Sequence, residues 1–142
     1  KNMKVSVVSG GFDPIHSGHI AYLNAAKEQG DILIVALNSD AWLTNKKGQP
    51  FMSFKERKTI LENLSCVDDV MDFTDDELGS CINALVAIKQ KYPNEHIIFC
   101  NGGDRNDSNI PEMSVSGIDF KFSIGGKDKK NSSSWILKKM AR

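Results

Sequence analysis

The sequence predicts an α/β protein, a three-layer α/β/α sandwich built on a mainly parallel sheet. Three observations predict it. Short runs rich in Val and Ile recur along the chain, segments with helical spacing separate them, and most of the runs are apolar at consecutive rather than alternate positions. Near-continuous apolar character belongs to strands covered on both faces. Strands alternating with helices make right-handed crossovers, which lay the strands parallel.

Taken in order, "KVSVVS" (4–9) is the first strand. Residues 18–29 follow as a helix, with Ile20, Leu23 and Ala26 on one stripe and Gly30 where a C-terminal cap belongs. "ILIVAL" (32–37) is the second strand, and residues 41–52 read as a flexible segment. The second helix opens with "SFKE", in which Ser53 and Glu56 are spaced for a capping box, and continues through Ile60, Leu61 and Leu64. "CVDDVMDF" (66–73) is the third strand. A third helix is expected over 77–91, with Leu78, Ile82, Leu85, Val86 and Ile88 inside, stopping before Pro93. "HIIFC" (96–100) is the fourth strand, and 101–118 is the second flexible segment. "DFKFSI" (119–124) alternates as an edge strand does, and "SSSWILKKM" (132–140) makes a final helix with serines at its N-terminus. The whole reads as one Rossmann-like domain over 3–142. Lys1 and Asn2, which precede Met3, are given no role.

Eighteen basic residues balance eighteen acidic ones, so no global field draws the chain to nucleic acid or an anionic membrane. Any anion must be held locally. No apolar run approaches the roughly 20 residues that cross a bilayer, and the N-terminus lacks a signal-peptide core, so a soluble, cytoplasmic protein is expected. Cys66, Cys81 and Cys100 are odd in number, far apart and set among apolar neighbours; they read as reduced core residues.

Open parallel sheets bind ligands beyond the carboxyl ends of their strands. That rule selects "GGFDPIHSGH" after the first strand, "NSD" after the second and "NGGDRND" after the fourth. In the first of these, His16 and His19 stand where loop becomes helix, facing the free N–H groups and positive dipole end of a first turn. Gly10 and Gly11 would let a ligand approach the backbone, and Gly18 removes a side chain between the histidines. The setting suits phosphate. Zinc would need more ligands than the one nearby acid, Asp13, and no metal site is assigned. The phosphate-loop and dinucleotide glycine signatures are both absent. Arg57 shares a helical face with Ile60, Leu61 and Leu64, so it lies on the core-facing stripe and needs an anion there: a ligand's phosphate, or a structural carboxylate.

"GGFDPIHSGHI" resembles the signature of the cytidylyltransferase-like (HxGH) nucleotidyltransferases. "ALNSD", "KKGQPFMSFKERKTILENLSCVDDV", "NGGDR" and "SSSWI" follow in the order and spacing of that family, nearest to its glycerol-3-phosphate cytidylyltransferase and ADP-heptose synthase adenylyltransferase members. The resemblance implies transfer of CMP or AMP from CTP or ATP to a phosphorylated sugar or polyol, with release of pyrophosphate. It also implies Mg²⁺ accompanying the triphosphate, and a homodimer, a state common in the family. His16, His19, Lys47 and Arg57 then fall at the family's catalytic positions, Lys46 being an alternative to Lys47. Gly10, Gly11, Phe12, Asp13, Gly18, Gly102, Asp104, Arg105, Ser132, Ser133 and Ser134 fall at nucleotide-binding positions, with His16 and His19. Asp13, Asn38, Asp40 and Lys47 are expected at the acceptor. Trp42 and Trp135 read as packing residues. Lys127 replaces the arginine of glycerol-phosphate members, which weakens the choice of CTP and leaves nucleotidyl transfer intact. Two other readings stay open: a noncatalytic nucleotide-binding module, and an adenylyltransferase for a nicotinamide or pantetheine phosphate.

Overall fold

The computed structural model describes residues 3–102, 110–125 and 137–139. Its elements run β1 (Lys4–Gly10), α1 (Ser17–Glu28), β2 (Ile32–Leu37), α2 (Asp40–Lys47), α3 (Phe54–Glu62), β3 (Asp69–Met71), α4 (Ile82–Lys91), β4 (His96–Cys100), a 3₁₀ turn (Pro111–Ser114) and β5 (Asp119–Lys121). The five strands form one sheet in the order β3-β2-β1-β4-β5, and every pairing is parallel. β1 lies at the centre, with Val5 opposite Ile32 on one side and Ile97 on the other. From β1 the chain builds outward first through β2 and β3, then through β4 and β5. The reversal leaves a crevice at the carboxyl ends of β1 and β4.

Alternation along buried strands divides the core between two faces. Val8, Leu33, Val35, Leu37 and Ile98 pack with Leu23 and Ala26 of α1 and Leu61 of α3. Val5, Val7, Ile34, Ala36, Ile97 and Phe99 pack with Ala84, Leu85 and Ile88 of α4. Helices thus cover both faces, which is why the central strands carry no polar stripe. β5 sits at the sheet edge, as its alternating pattern predicts.

Several boundaries differ from the sequence-based expectation. Residues 40–47 are helical rather than flexible: the Ser39 hydroxyl accepts from Trp42 N–H at 3.0 Å, Leu43 is buried, and Gly48 at φ 93° ends the helix. Only two large apolar residues serve this helix, too few for a readable period. α4 begins at Ile82, not near 77, because Asp76 closes a turn first, accepting from the N–H groups of Leu78 and Ser80 at 3.1 and 2.8 Å. Leu78 is consequently 70% exposed and no part of the core. β3 keeps only three residues of the longer apolar run. Gly30 does not supply a left-handed cap: Gln29 caps α1 in the right-handed region, and a Cβ on Gly30 would come within 2.6 Å of Ser6 Oγ and 3.0 Å of Lys4 O. Close approach of helix end to β1 is what requires glycine. Of the proposed last helix, residues 137–139 are helical and the remainder lies outside the described residues.

Among the described residues no helix is long and apolar enough to cross a membrane. Cys81 and Cys100 are buried, Cys66 is half-buried, and all three are free thiols. Burial pushes the Cys100 thiol up to about 11.

Candidate active site

A crevice of about 450 Å³ opens at the switch point between β1 and β4. Its walls come from Ser9, Gly10 and Gly11 after β1, His19 and Tyr22 of α1, Asn38 after β2, Trp42 and Lys46 of α2, Gly79 and Cys81 before α4, Asn101 and Gly102 after β4, and Glu112.

The histidine pair is built into the start of α1. His16 is the N-cap: its Nδ1 accepts from Gly18 N–H at 3.1 Å, while His19 Nδ1 accepts from the His16 N–H at 3.2 Å. Two imidazoles therefore form a capping box, a task ordinarily given to Ser or Thr with Glu or Gln. The rings stack with centroids 3.8 Å apart and planes 23° from parallel, and Phe12 packs edge-on to His19 at 4.9 Å. Because each Nδ1 is an acceptor, each neutral ring carries its proton on Nε2; this tautomer follows from the hydrogen-bond network. Burial, and then the charge of His16, lower the His19 pKa from 6.5 to about 4, so His19 is neutral at pH 7. Phe12 itself is buried, in a left-handed backbone at φ 50°.

The other charged residues of the motif face inward. Asp13 is 2% exposed, and its carboxylate accepts from Phe51 and Met52 N–H, both at 2.6 Å, and pairs with Lys47 Nζ at 2.8 Å. Lys47 also donates to Asp13 O at 2.6 Å. Arg57 is 1% exposed; it donates to Met52 O at 3.0 Å, Gly11 O at 3.0 Å and Asn38 O at 2.7 Å, and pairs with Asp40 Oδ1 at 2.7 Å. The core-facing arginine has thus met its anion inside the protein, together with three carbonyls at the ends of β1, β2 and the loop before α3. His19, not His16, is the member of the pair that lines this crevice, and Asp13, Asp40, Lys47 and Arg57 do not line it either. These four hold together the backbone of the two loops that shape it.

Gly11 is set by packing: a Cβ there would lie 2.8 Å from the Leu43 side chain. Gly18 serves through its N–H, on His16. Asn38 and Gly102 line the crevice, whereas Asp104, Arg105, Ser132, Ser133 and Ser134, with Lys127 and Trp135, lie outside the described residues.

Some wall residues carry no motif signal. Trp42, read as packing, lines the crevice, with its indole N–H donating to Gly79 O at 2.9 Å and Lys46 Nζ 4.9 Å from its ring centroid. Among the described residues Lys46, and not Lys47, lines this crevice. Asn101 and Glu112 are both 2% exposed, and Glu112 Oε2 accepts from Cys81 N–H at 2.9 Å, satisfying the start of α4. Of these, Lys46 had a cue as the alternative to Lys47, and the asparagine after β4 had one in its place at a strand's carboxyl end.

Residues 7–119 match the model of the family described as cytidylyltransferase-like. Bifunctional protein HldE of Helicobacter pylori strain ATCC 700392 / 26695 is 48% identical over 84 residues, which are 58% of this chain and 18% of that protein. The chain thus matches about a fifth of the length of this curated relative. The fold is similar to a lipopolysaccharide core biosynthesis protein from Thermoplasma volcanium GSS1, at TM-score 0.66 and 23% identity, covering 85% of this chain and 96% of that one. It is also similar to a bifunctional NMN adenylyltransferase/ADP ribose pyrophosphatase from Francisella tularensis, solved with AMP and a manganese ion, at TM-score 0.65 and 18% identity, covering 96% and 41%.

Proposed function

Since the chain belongs to the cytidylyltransferase-like family of nucleotidyltransferases, we propose that it transfers AMP or CMP from ATP or CTP to a sugar or polyol phosphate, releasing pyrophosphate. A phosphate oxygen of the acceptor attacks the α-phosphorus, a new P–O bond forms, and the bond to the β-phosphate breaks with pyrophosphate as leaving group. Negative charge grows on the α-phosphate oxygens during this exchange. Catalysis is then mostly orientation plus preorganised donors.

The observation that carries the reading is the paired imidazoles at the α1 N-terminus. Their Nδ1 atoms accept from backbone N–H groups, which puts the ring protons on Nε2, and His19 lines the crevice in a helix-dipole setting that favours anions. A neutral His19 donates a hydrogen bond without changing protonation near pH 7. Lys46 serves the phosphates from the opposite wall, while Lys47 and Arg57 act as positioning residues through Asp13, Asp40 and the β1 and β2 loop carbonyls.

Mg²⁺ neutralises triphosphate charge in this chemistry. The residues fit an ion that arrives on the nucleotide: the Asp13 carboxylate is filled by two N–H groups and a lysine, Glu112 is held at Cys81, and among the described residues no three His, Cys, Asp or Glu side chains gather as a cage.

The test is pyrophosphate release with Mg²⁺, pairing each of the four nucleoside triphosphates with sugar, polyol, nicotinamide and pantetheine phosphates. Release confined to ATP or CTP with a sugar or polyol phosphate is expected. Release only with a nicotinamide or pantetheine phosphate, or nucleotide binding without turnover on any acceptor, overturns the reading.

A further inference from the structure

A tyrosine hydroxyl ties the histidine helix to the β4 side of the crevice. Tyr22 stands one turn after His19 on α1, and both residues line the crevice. α1 packs chiefly on β1 and β2, whereas another part of the wall is carried by Asn101 and Gly102, which follow β4. The Tyr22 phenol joins the two, donating at 2.5 Å to the carbonyl of Cys100, the last residue of β4 and 78 positions along the chain.

Packing supports this join from both sides. The Tyr22 ring is half-buried against the core face that holds Leu23, Ile98 and Cys100. Beyond Cys100, Asn101 N–H donates to Lys121 O and Ile124 N–H donates to Asn101 O, both at 2.9 Å, which laces the chain leaving β5 to the end of β4. That chain then seats on α1 at the same tyrosine: a Cβ on Gly125, whose φ is 84°, would lie 3.3 Å from Tyr22 Cα. Three segments therefore meet at one side chain. His16 and His19 are bound through Nδ1 to the backbone at the start of α1, so they move as that helix moves. Where α1 sits against the end of β4 thus sets the distance from the His19 imidazole to the wall at Asn101 and Gly102.

We propose that Tyr22 is a positioning residue for nucleotidyl transfer: through its hydroxyl on Cys100 O it holds the His19 wall at a fixed distance from the wall after β4, so that substrates spanning the two stay in line. This role rests on the nucleotidyl-transfer reading above and adds a residue that acts through the placement of another. A phenol that only strengthened the fold would be felt in unfolding and not in the chemical step. A displaced α1 is felt in the chemical step, since a misplacement of about 1 Å can cost on the order of 100-fold.

The experiment is single-turnover pyrophosphate release by the wild type, Tyr22→Phe and Tyr22→p-aminophenylalanine, given ATP or CTP with glycerol 3-phosphate, ribose 5-phosphate, glucose 1-phosphate or mannose 1-phosphate. Triphosphate affinity by calorimetry and the urea midpoint are measured alongside. Tyr22→Phe keeps the ring and deletes the bond, and the amino group of the second variant restores a donor. At saturating substrates Tyr22→Phe is expected to release pyrophosphate about 10- to 100-fold more slowly than the wild type, with triphosphate affinity within about threefold, and the amino variant to recover most of the rate. A rate within about twofold of the wild type in folded Tyr22→Phe overturns the proposal, as does a loss confined to triphosphate affinity or an amino variant as slow as Tyr22→Phe. A Tyr22→Phe chain that does not fold assigns the bond to the fold and overturns it too. No release from the wild type with any of these phosphates overturns the nucleotidyl-transfer reading and this role with it, whereas equal release by the wild type and Tyr22→Phe leaves that reading standing and removes only the role of Tyr22.

Discussion

Two sets of charged or polar residues leave the first strand within a few positions of each other, and they meet opposite fates. The histidine pair turns its Nδ1 atoms to backbone N–H groups and so carries its ring protons on Nε2, with His19 on the crevice wall. The Asp13, Lys47, Asp40 and Arg57 set satisfies itself: its carboxylates, ammonium and guanidinium close on one another and on loop carbonyls. Both sets have the composition of a phosphate site. Their partners separate them: backbone N–H groups meet the histidines, whereas the second set pairs with itself and with carbonyls.

If that difference is real, substitutions should divide cleanly between activity and stability. The largest effect on activity is expected from His16→Ala with His19→Ala: pyrophosphate release down by at least about three orders of magnitude, against a stability loss of only about 1–2 kcal/mol from the missing caps. Each lost donor to a developing oxyanion is worth roughly 10²- to 10³-fold. A folded double variant with near-normal turnover breaks the comparison.

Arg57→Ala should act the other way. It leaves three loop carbonyls without their donor, while the half-exposed Asp40 carboxylate turns to water, and a loss of about 2–4 kcal/mol in denaturant unfolding is expected. Arg57→Lys should not restore it, because an ammonium cannot span the guanidinium's forked contacts. Full stability with Lys would mean that the knot is looser than its distances say.

A pH titration sharpens the histidine side. With the His19 pKa at about 4 in the folded chain against 6.5 unfolded, the unfolded state binds its proton first as pH falls. Stability from this group is complete above pH 6.5, declines through the interval to pH 4 and is level below it, a loss of about 3 kcal/mol. His19→Gln should remove that slope between pH 4 and 6.5, which equilibrium unfolding at several pH values can check.

The smallest effects belong to the α2 wall. Trp42→Phe deletes the bond to Gly79 O and should cost about 1 kcal/mol. Lys46→Ala should raise the nucleotide KM several-fold with stability unchanged, whereas Lys47→Ala should lower stability by exposing the buried Asp13 carboxylate to no counter-charge. Reversed roles for the two lysines would redraw the crevice.

Much of the fold was readable because burial on both faces writes itself as unbroken apolar runs. "ILIVAL" becomes β2 residue for residue. α2 was missed because a short helix packed through Trp42 and Leu43 shows caps and no period. Leu78 was misplaced because an aspartate-closed turn uses the same residues as a helix start. In the site, the histidines were readable from their place at a strand-to-helix turn, and the burial of Arg57 from its helical face.

By itself the sequence determined the alternation of strands and helices, the location of the crevice at their carboxyl ends and the presence of an anion-suited histidine pair, since all three depend on local spacing. Only the tertiary structure decided which of two adjacent lysines pairs with Asp13, which carboxylates are already filled, and that Asn101 turns its amide nitrogen to the carbonyls of Phe99 and Lys121. Those outcomes turn on contacts between residues twenty to forty positions apart in sequence, and no local pattern encodes a hydrogen bond to another strand's carbonyl.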